Sequence, residues 1–357
     1  MNRSGLGIDL QNINISCILF ADDLVVIGKS KKNLDHLMGI TRQFFSIHKL
    51  DISENKSKVM SHNASTGKVT FNGHNLDPLQ LDEVLVFKYL GIHLSCSPYS
   101  FFKSFNENVK KKARSYLASV LSLTRSGPNR SALAHSLWTL CGLPSILYGA
   151  EVIPLTQDTI AEVEKCNTAV GKFILQIPRS SSDVACYIDA GLKPISAIVA
   201  EKVLLYAHSI MNKPATYWAK IAMDENLAIG SRSSYSRYFL KLVTSFNCLQ
   251  FTPEQIKKSV HKCTVSNIFN KLRATSTTSF PLVHGRFSGG IWFKPKPWVS
   301  DSGVSRIIAS FRICNSGLGN RGPAKNGQFY KLCPLCSNVG LTALNNEVNI
   351  QVVINCS

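Results

Sequence analysis

Apolar residues near the start of the chain run through Ile13, Ile15, Cys17, Ile18, Leu19 and Phe20, stop at Ala21-Asp22-Asp23, and resume as Leu24-Val25-Val26-Ile27. β-branched and aromatic residues on both sides predict two short buried strands. The acidic pair falls at the tight turn between them. Two readings of that turn stay open on these residues alone. Aspartate is a common, solvated turn residue. Two carboxylates on a rigid apolar hairpin also suit a magnesium-dependent phosphoryl-transfer enzyme, because hard oxygens bind a hard cation.

The pattern then changes period. Ser30 is a candidate N-cap, and Leu34, Leu37, Met38, Thr41, Phe44, Phe45 and His48 share one helical face. Lys31 and Lys32 stand in the first turn, where the helix dipole disfavours them and a nearby phosphate would offset the cost. Residues 50–60 read as a turn and a strand, and Val69-Thr70-Phe71 as a strand entering a turn at Asn72-Gly73. Residues 84–94 read as one extended segment, with Gly91 marking a bulge or a close backbone approach. From about residue 100 the pattern is helical. Ser104-Phe105-Asn106-Glu107 reads as a capping box ahead of a stripe at Val109, Ala113, Tyr116, Leu117, Val120 and Leu121. A second helix runs through Leu133 to about Leu140 and breaks at Leu143-Pro144. Thr159-Ile160-Ala161-Glu162 reads as another capping box, and 195–211 as a further helix. Residues 212–300 are less clearly periodic.

Composition narrows the class. Among 357 residues, 45% are hydrophobic and 17% charged, which describes a globular chain. No run of apolar residues is long enough to span a bilayer, and the first thirty residues lack a secretory pattern, so the expectation is an intracellular protein, nuclear or cytoplasmic, with no membrane partner. Eleven scattered cysteines point to reduced thiols. The net charge is +18, and residues 201–300 hold 14 basic against 4 acidic residues. That surplus favours a nucleic-acid partner. Lys110, Lys111, Lys112 and Arg114 give one helix a basic face that could track a phosphate backbone.

These pieces in this order resemble the reverse transcriptases of non-LTR (LINE-type) retrotransposons. Phe20-Ala21-Asp22-Asp23 is similar to the family's polymerase motif C. Leu50-Asp51-Ile52-Ser53-Glu54-Asn55-Lys56 is similar to motif D, and Phe87-Lys88-Tyr89-Leu90-Gly91 to motif E, the primer grip. The later helices resemble the thumb. Cys333-Pro334-Leu335-Cys336 and the residues after it resemble a C-terminal zinc knuckle. The resemblance implies RNA-directed DNA polymerisation with magnesium, on an RNA template and a DNA primer. It implies Asp22 as a metal ligand, with Asp23 in support. Lys56 would act on the leaving group, and Tyr89, Leu90 and Gly91 would hold the primer. Where the knuckle has a histidine this chain has Asn349, which leaves Cys333, Cys336 and Cys356 as an incomplete ligand set, so the expectation is a weak or empty zinc site.

Only nineteen residues precede Phe20, and the family's other essential aspartate comes from further upstream. The expectation is therefore that motifs A and B are absent and that this chain alone does not polymerise DNA. The fold expected is α+β: a partial right-hand polymerase palm over 1–98 and a helical thumb with the following segment over 99–211. A basic region over 212–330 and a degenerate knuckle-like tail over 331–357 complete it. One rival is a non-catalytic nucleic-acid-binding module using Lys257, Lys258, Lys262, Lys294 and Lys296. Another is a retrotransposon relic without function. Sequence alone leaves the oligomeric state open.

Overall fold

The computed structural model describes residues 5–10, 13–61, 67–73, 76–126, 130–248 and 252–274. It is α+β, and it divides into two compact units. Among the described residues, one comprises those within 1–106 and 207–238, and the other those within 107–206 and 239–274.

The first unit holds all the described strands. β1 (Ile8–Leu10) pairs antiparallel with β2 (Ile13–Ile15), and β3 (Cys17–Phe20) with β4 (Asp23–Val26). Helix α1 (Lys31–Ile47) follows. Next come β5 (Lys58–Val59), β6 (Lys68–Gly73) and β7 (Leu76–Glu83), which form a sheet in the order β5-β7-β6 with β5 parallel to β7. β8 (Val86–Tyr89) and β9 (Ile92–Ser95) make a final hairpin. Helix α1 packs its middle on the three-stranded sheet. Met38, Val59, Phe71, Leu79 and Leu81 form the core, with Val26, Leu34, Ile52 and Val69 against it. Ser30 caps α1 as read, its hydroxyl accepting from the Asn33 N–H at 3.2 Å. Lys31 needs no phosphate: it pairs with Asp35 at 2.9 Å and lies over the Phe71 ring.

Several readings need correction. The β3–β4 hairpin is not buried: Ile18, Leu19 and Phe20 are 40%, 67% and 61% exposed. A two-stranded sheet with no third strand bonded among the described residues leaves its apolar side chains open. The far end of the α1 stripe, at Phe44 and His48, is exposed for a similar reason, since the core engages only residues 34–41 of the helix. Strand β7 was not legible because Pro78 interrupts it. The proline lies in the half that β5 does not reach, beside a register shift on β6, where a missing N–H costs little. Residues 84–94 are two strands rather than one. Leu90 and Gly91 form the turn, with φ of 46° and 82°. Two positive φ values in succession match the twist of a tight hairpin, and glycine takes the second without strain.

Helix α2 (Pro98–Leu123) starts before the supposed capping box. Proline suits a first helical turn, and the Ser97 carbonyl accepts the Phe101 N–H at 2.9 Å. Pro144 does not end the next helix. α3 (Arg130–Ser136) continues through a wide π turn, Leu137–Gly142, into α4 (Leu143–Ile146). The Leu143 N–H reaches back to Trp138, and Pro144 falls at the start of the resumed helix, where its absent N–H is tolerated. α5 (Gln157–Leu175) is capped by Thr156, not Thr159; Thr159 is buried and donates its N–H to the Thr156 hydroxyl at 3.2 Å. α6 (Val184–Ile188) packs on α5, and α7 (Ile195–Met211) matches the sequence reading.

The weakly periodic region is helical too: α8 (Trp218–Ile229) lies in the first unit, followed by α9 (Ser234–Phe246) and α10 (Pro253–Ala274). α10 opens on a reciprocal cap that the sequence carries as Thr252-Pro253-Glu254-Gln255. The Gln255 N–H meets the Thr252 hydroxyl at 3.4 Å, and the Thr252 N–H meets the Gln255 side chain at 2.9 Å. No described helix is long and apolar enough to cross a membrane.

Candidate functional site

The acidic hairpin sets the geometry. Phe20 and Asp23 face each other across it, so Ala21 and Asp22 are the two turn residues. Ala21 adopts φ 52°, a left-handed conformation that costs an L-residue about 1–2 kcal/mol. Strain of this kind persists where the surroundings enforce it, and it sits here beside the two carboxylates. Asp22 and Asp23 are both exposed.

Tyr89 is the residue that the tertiary structure adds to them. It ends β8, and its hydroxyl is buried with no hydrogen-bond partner among the described residues. Burial, and then the charge of Asp23, push that phenol above its ordinary range. The structure thus brings Asp23 and Tyr89 into one electrostatic environment although 66 positions separate them in the chain. Leu90 and Gly91 form the adjoining turn. Lys56 is exposed in the turn at 54–56 and forms no ion pair among the described residues. Asp9 does not join the pair either. Lys29 and Asn14 hold its carboxyl, and their hydrogen bonds keep it below the usual carboxylate range.

Two adjacent exposed carboxylates fit a magnesium ion that shares its remaining positions with water and substrate phosphates. Among the described residues no group of three or more His, Cys, Asp or Glu side chains could hold a metal. Asp22 and Asp23 are thus two adjacent carboxylates and not a closed metal cage. Cys333, Cys336, Cys356, Lys294 and Lys296 lie outside the described residues.

The basic run on α2 is largely engaged. Lys110 is bonded to Glu107 at 2.9 Å and to Asp158 at 2.6 Å, which raises its pKa, with Asp158 the stronger cause. Arg114 bonds Glu162 at 2.9 Å and lowers that carboxyl. Lys112 reaches the Ser145 carbonyl at 3.5 Å, and Lys111 is exposed.

Residues 1–94 match the family model of the reverse transcriptase (RNA-dependent DNA polymerase). The acidic hairpin, Lys56 and the Tyr89-Leu90-Gly91 turn all fall inside the matched stretch. No curated protein and no solved structure matches the chain. The reverse-transcriptase-like segment is thus the β-rich part of the first unit, and the match stops just before α2.

Proposed function

We propose that the reverse-transcriptase-like segment is the later part of a polymerase palm of the non-LTR (LINE-type) kind, serving RNA-directed DNA synthesis. The observation that carries this reading is the acidic pair at the tip of an apolar hairpin inside a stretch matched to reverse transcriptases. In the reaction the primer 3′-oxygen bonds to the α-phosphorus of a deoxynucleoside triphosphate, and the α–β phosphoanhydride breaks. Pyrophosphate leaves, and the hydroxyl proton passes to solvent. Magnesium, when bound, would lower the charge on the phosphates and favour the attacking alkoxide. Asp22 is the proposed ligand. Asp23 supports it, and Tyr89 stands with Leu90 and Gly91 at the proposed primer grip. Leu90 and Gly91 let a primer strand approach the backbone closely. Lys56 neutralises charge on the departing pyrophosphate.

Two-metal transfer takes carboxylates from more than one strand, so we read Asp22 and Asp23 as one part of a centre that a further carboxylate completes. Manganese binding, followed by electron paramagnetic resonance with primer–template and a deoxynucleoside triphosphate present, tests the ligand role. Asp22→Ala should release ion that the wild type holds; equal binding by both would sink the proposal. Primer extension on an RNA template tests the incompleteness, and no product is expected from the chain alone. Extension lost in Asp22→Ala would show the centre to be complete already.

A further inference from the structure

Two basic clusters stand out along the helices, at 110–114 and 257–262, and their surroundings differ. On α2 the charge is spent locally: Lys110 and Arg114 are held by Glu107, Asp158 and Glu162. The same holds for Lys165 with Glu162, Lys172 with Asp183 and Lys202 with Glu151. On α10, Ile256, Val260, Thr264 and Ile268 recur every fourth residue and are buried, so one face of the helix is turned inward. Lys257, Lys258 and Lys262 are exposed, and among the described residues none of them forms an ion pair. Lys258 and Lys262 stand one turn apart, roughly 6 Å along the axis. Glu254, in the first turn, is the single acidic residue on the helix.

The remaining exposed positions on α10 separate the possible polyanions. Gln255, Ser266, Asn267 and Asn270 are polar, and no large apolar side chain is exposed over residues 253–268 of this helix. A lipid surface would want apolar residues to insert. A phosphate backbone needs only accessible cations and polar partners. We propose that α10 carries a docking face for a nucleic-acid phosphate backbone, centred on Lys257, Lys258 and Lys262. It is distinct from the acidic hairpin and takes the place of the α2 run as the accessible charge.

The test is the salt dependence of binding. A short fluorescein-labelled DNA duplex is titrated with the full chain over a range of KCl concentrations. Lys257→Gln/Lys258→Gln/Lys262→Gln should weaken binding about tenfold or more at low salt, and lower the slope of log affinity on log salt by about 2 to 3, close to one per lost phosphate contact. The triple arginine variant at the same positions should keep the wild-type slope. So should Lys32→Gln/Lys49→Gln/Lys103→Gln, which removes equal charge from exposed positions elsewhere. Asp22→Ala should bind as the wild type does, so failure of the hairpin proposal and failure of this one are read separately. An unchanged slope in the α10 glutamine variant overturns the proposal. So does binding to phosphatidylserine vesicles as tight as to the duplex and lost in that same variant, which would assign the face to lipid.

Discussion

The β3–β4 hairpin and helix α5 are both rich in apolar residues, and they bury them in opposite degrees. On α5, Val163, Val170, Ile174 and Leu175 are completely buried. On the hairpin, Leu19 and Phe20 are mostly in solvent. Apolar content does not account for the difference; the number of neighbouring layers does. α5 is flanked by α3 and α6, and its polar side chains are bonded inside. Asn167 accepts from the Trp138 indole at 2.8 Å and donates to Glu164 at 2.9 Å and to the Lys193 carbonyl at 3.1 Å. Glu164 also accepts the Ile195 N–H at 2.7 Å and so caps the start of α7. Among the described residues each hairpin strand is bonded only to the other, and Val26 packs against the core of the three-stranded sheet. The helix therefore sits in a layered, internally bonded core, while the hairpin that carries Asp22 and Asp23 stands on a thin support.

The largest expected effect lies at Trp138, fully buried and bonded to Asn167. Trp138→Ala should cost about 3–5 kcal/mol in urea denaturation followed by circular dichroism. A loss no larger than that of a surface substitution would break the contrast.

Glu164 gives an intermediate effect with a pH signature. Burial is the largest cause and lifts its carboxyl above the ordinary value, against the hydrogen bonds it accepts. The folded chain then holds this proton more tightly than the unfolded chain. The contribution is complete below the unfolded value and is lost as pH rises through the raised folded value. Glu164→Gln should cost about 1–3 kcal/mol and remove that decline, leaving a flatter urea midpoint across the window. A decline equal in wild type and variant would show that the Glu164 proton is not its source.

The smallest effect belongs to the hairpin. Leu19→Thr, at a position 67% exposed, should change stability by no more than about 0.5 kcal/mol. A cost comparable to Trp138→Ala would mean that the hairpin is packed after all.

How much of this was legible depended on the range of the interaction. The Ser30 cap and the limits of α7 follow from residues a few positions apart, and the sequence reading found them; the hairpin turn was read one residue late, since Ala21 and Asp22 form it and Asp23 is already on β4. The capping boxes at Ser104 and Thr159 were misplaced because the same local pattern recurs inside a helix, where nothing nearby cancels it. Pro98 and Thr156 held the starts. α10 was missed although its reciprocal cap lies in the sequence, because a stripe of isoleucine, valine and threonine in a lysine-rich segment gives a weak period.

The sequence by itself determined the acidic hairpin, the order of the pieces resembling a reverse transcriptase, and the basic surplus. Those rest on residue type and short spacing, which folding does not alter. Only the tertiary structure decided which charges are free and which apolar residues are covered. Lys110 meets Asp158 across 48 positions, and Tyr89 shares an environment with Asp23 across 66. Charge neutralisation and burial are properties of neighbours in space, and no local pattern encodes which distant residue the neighbour will be.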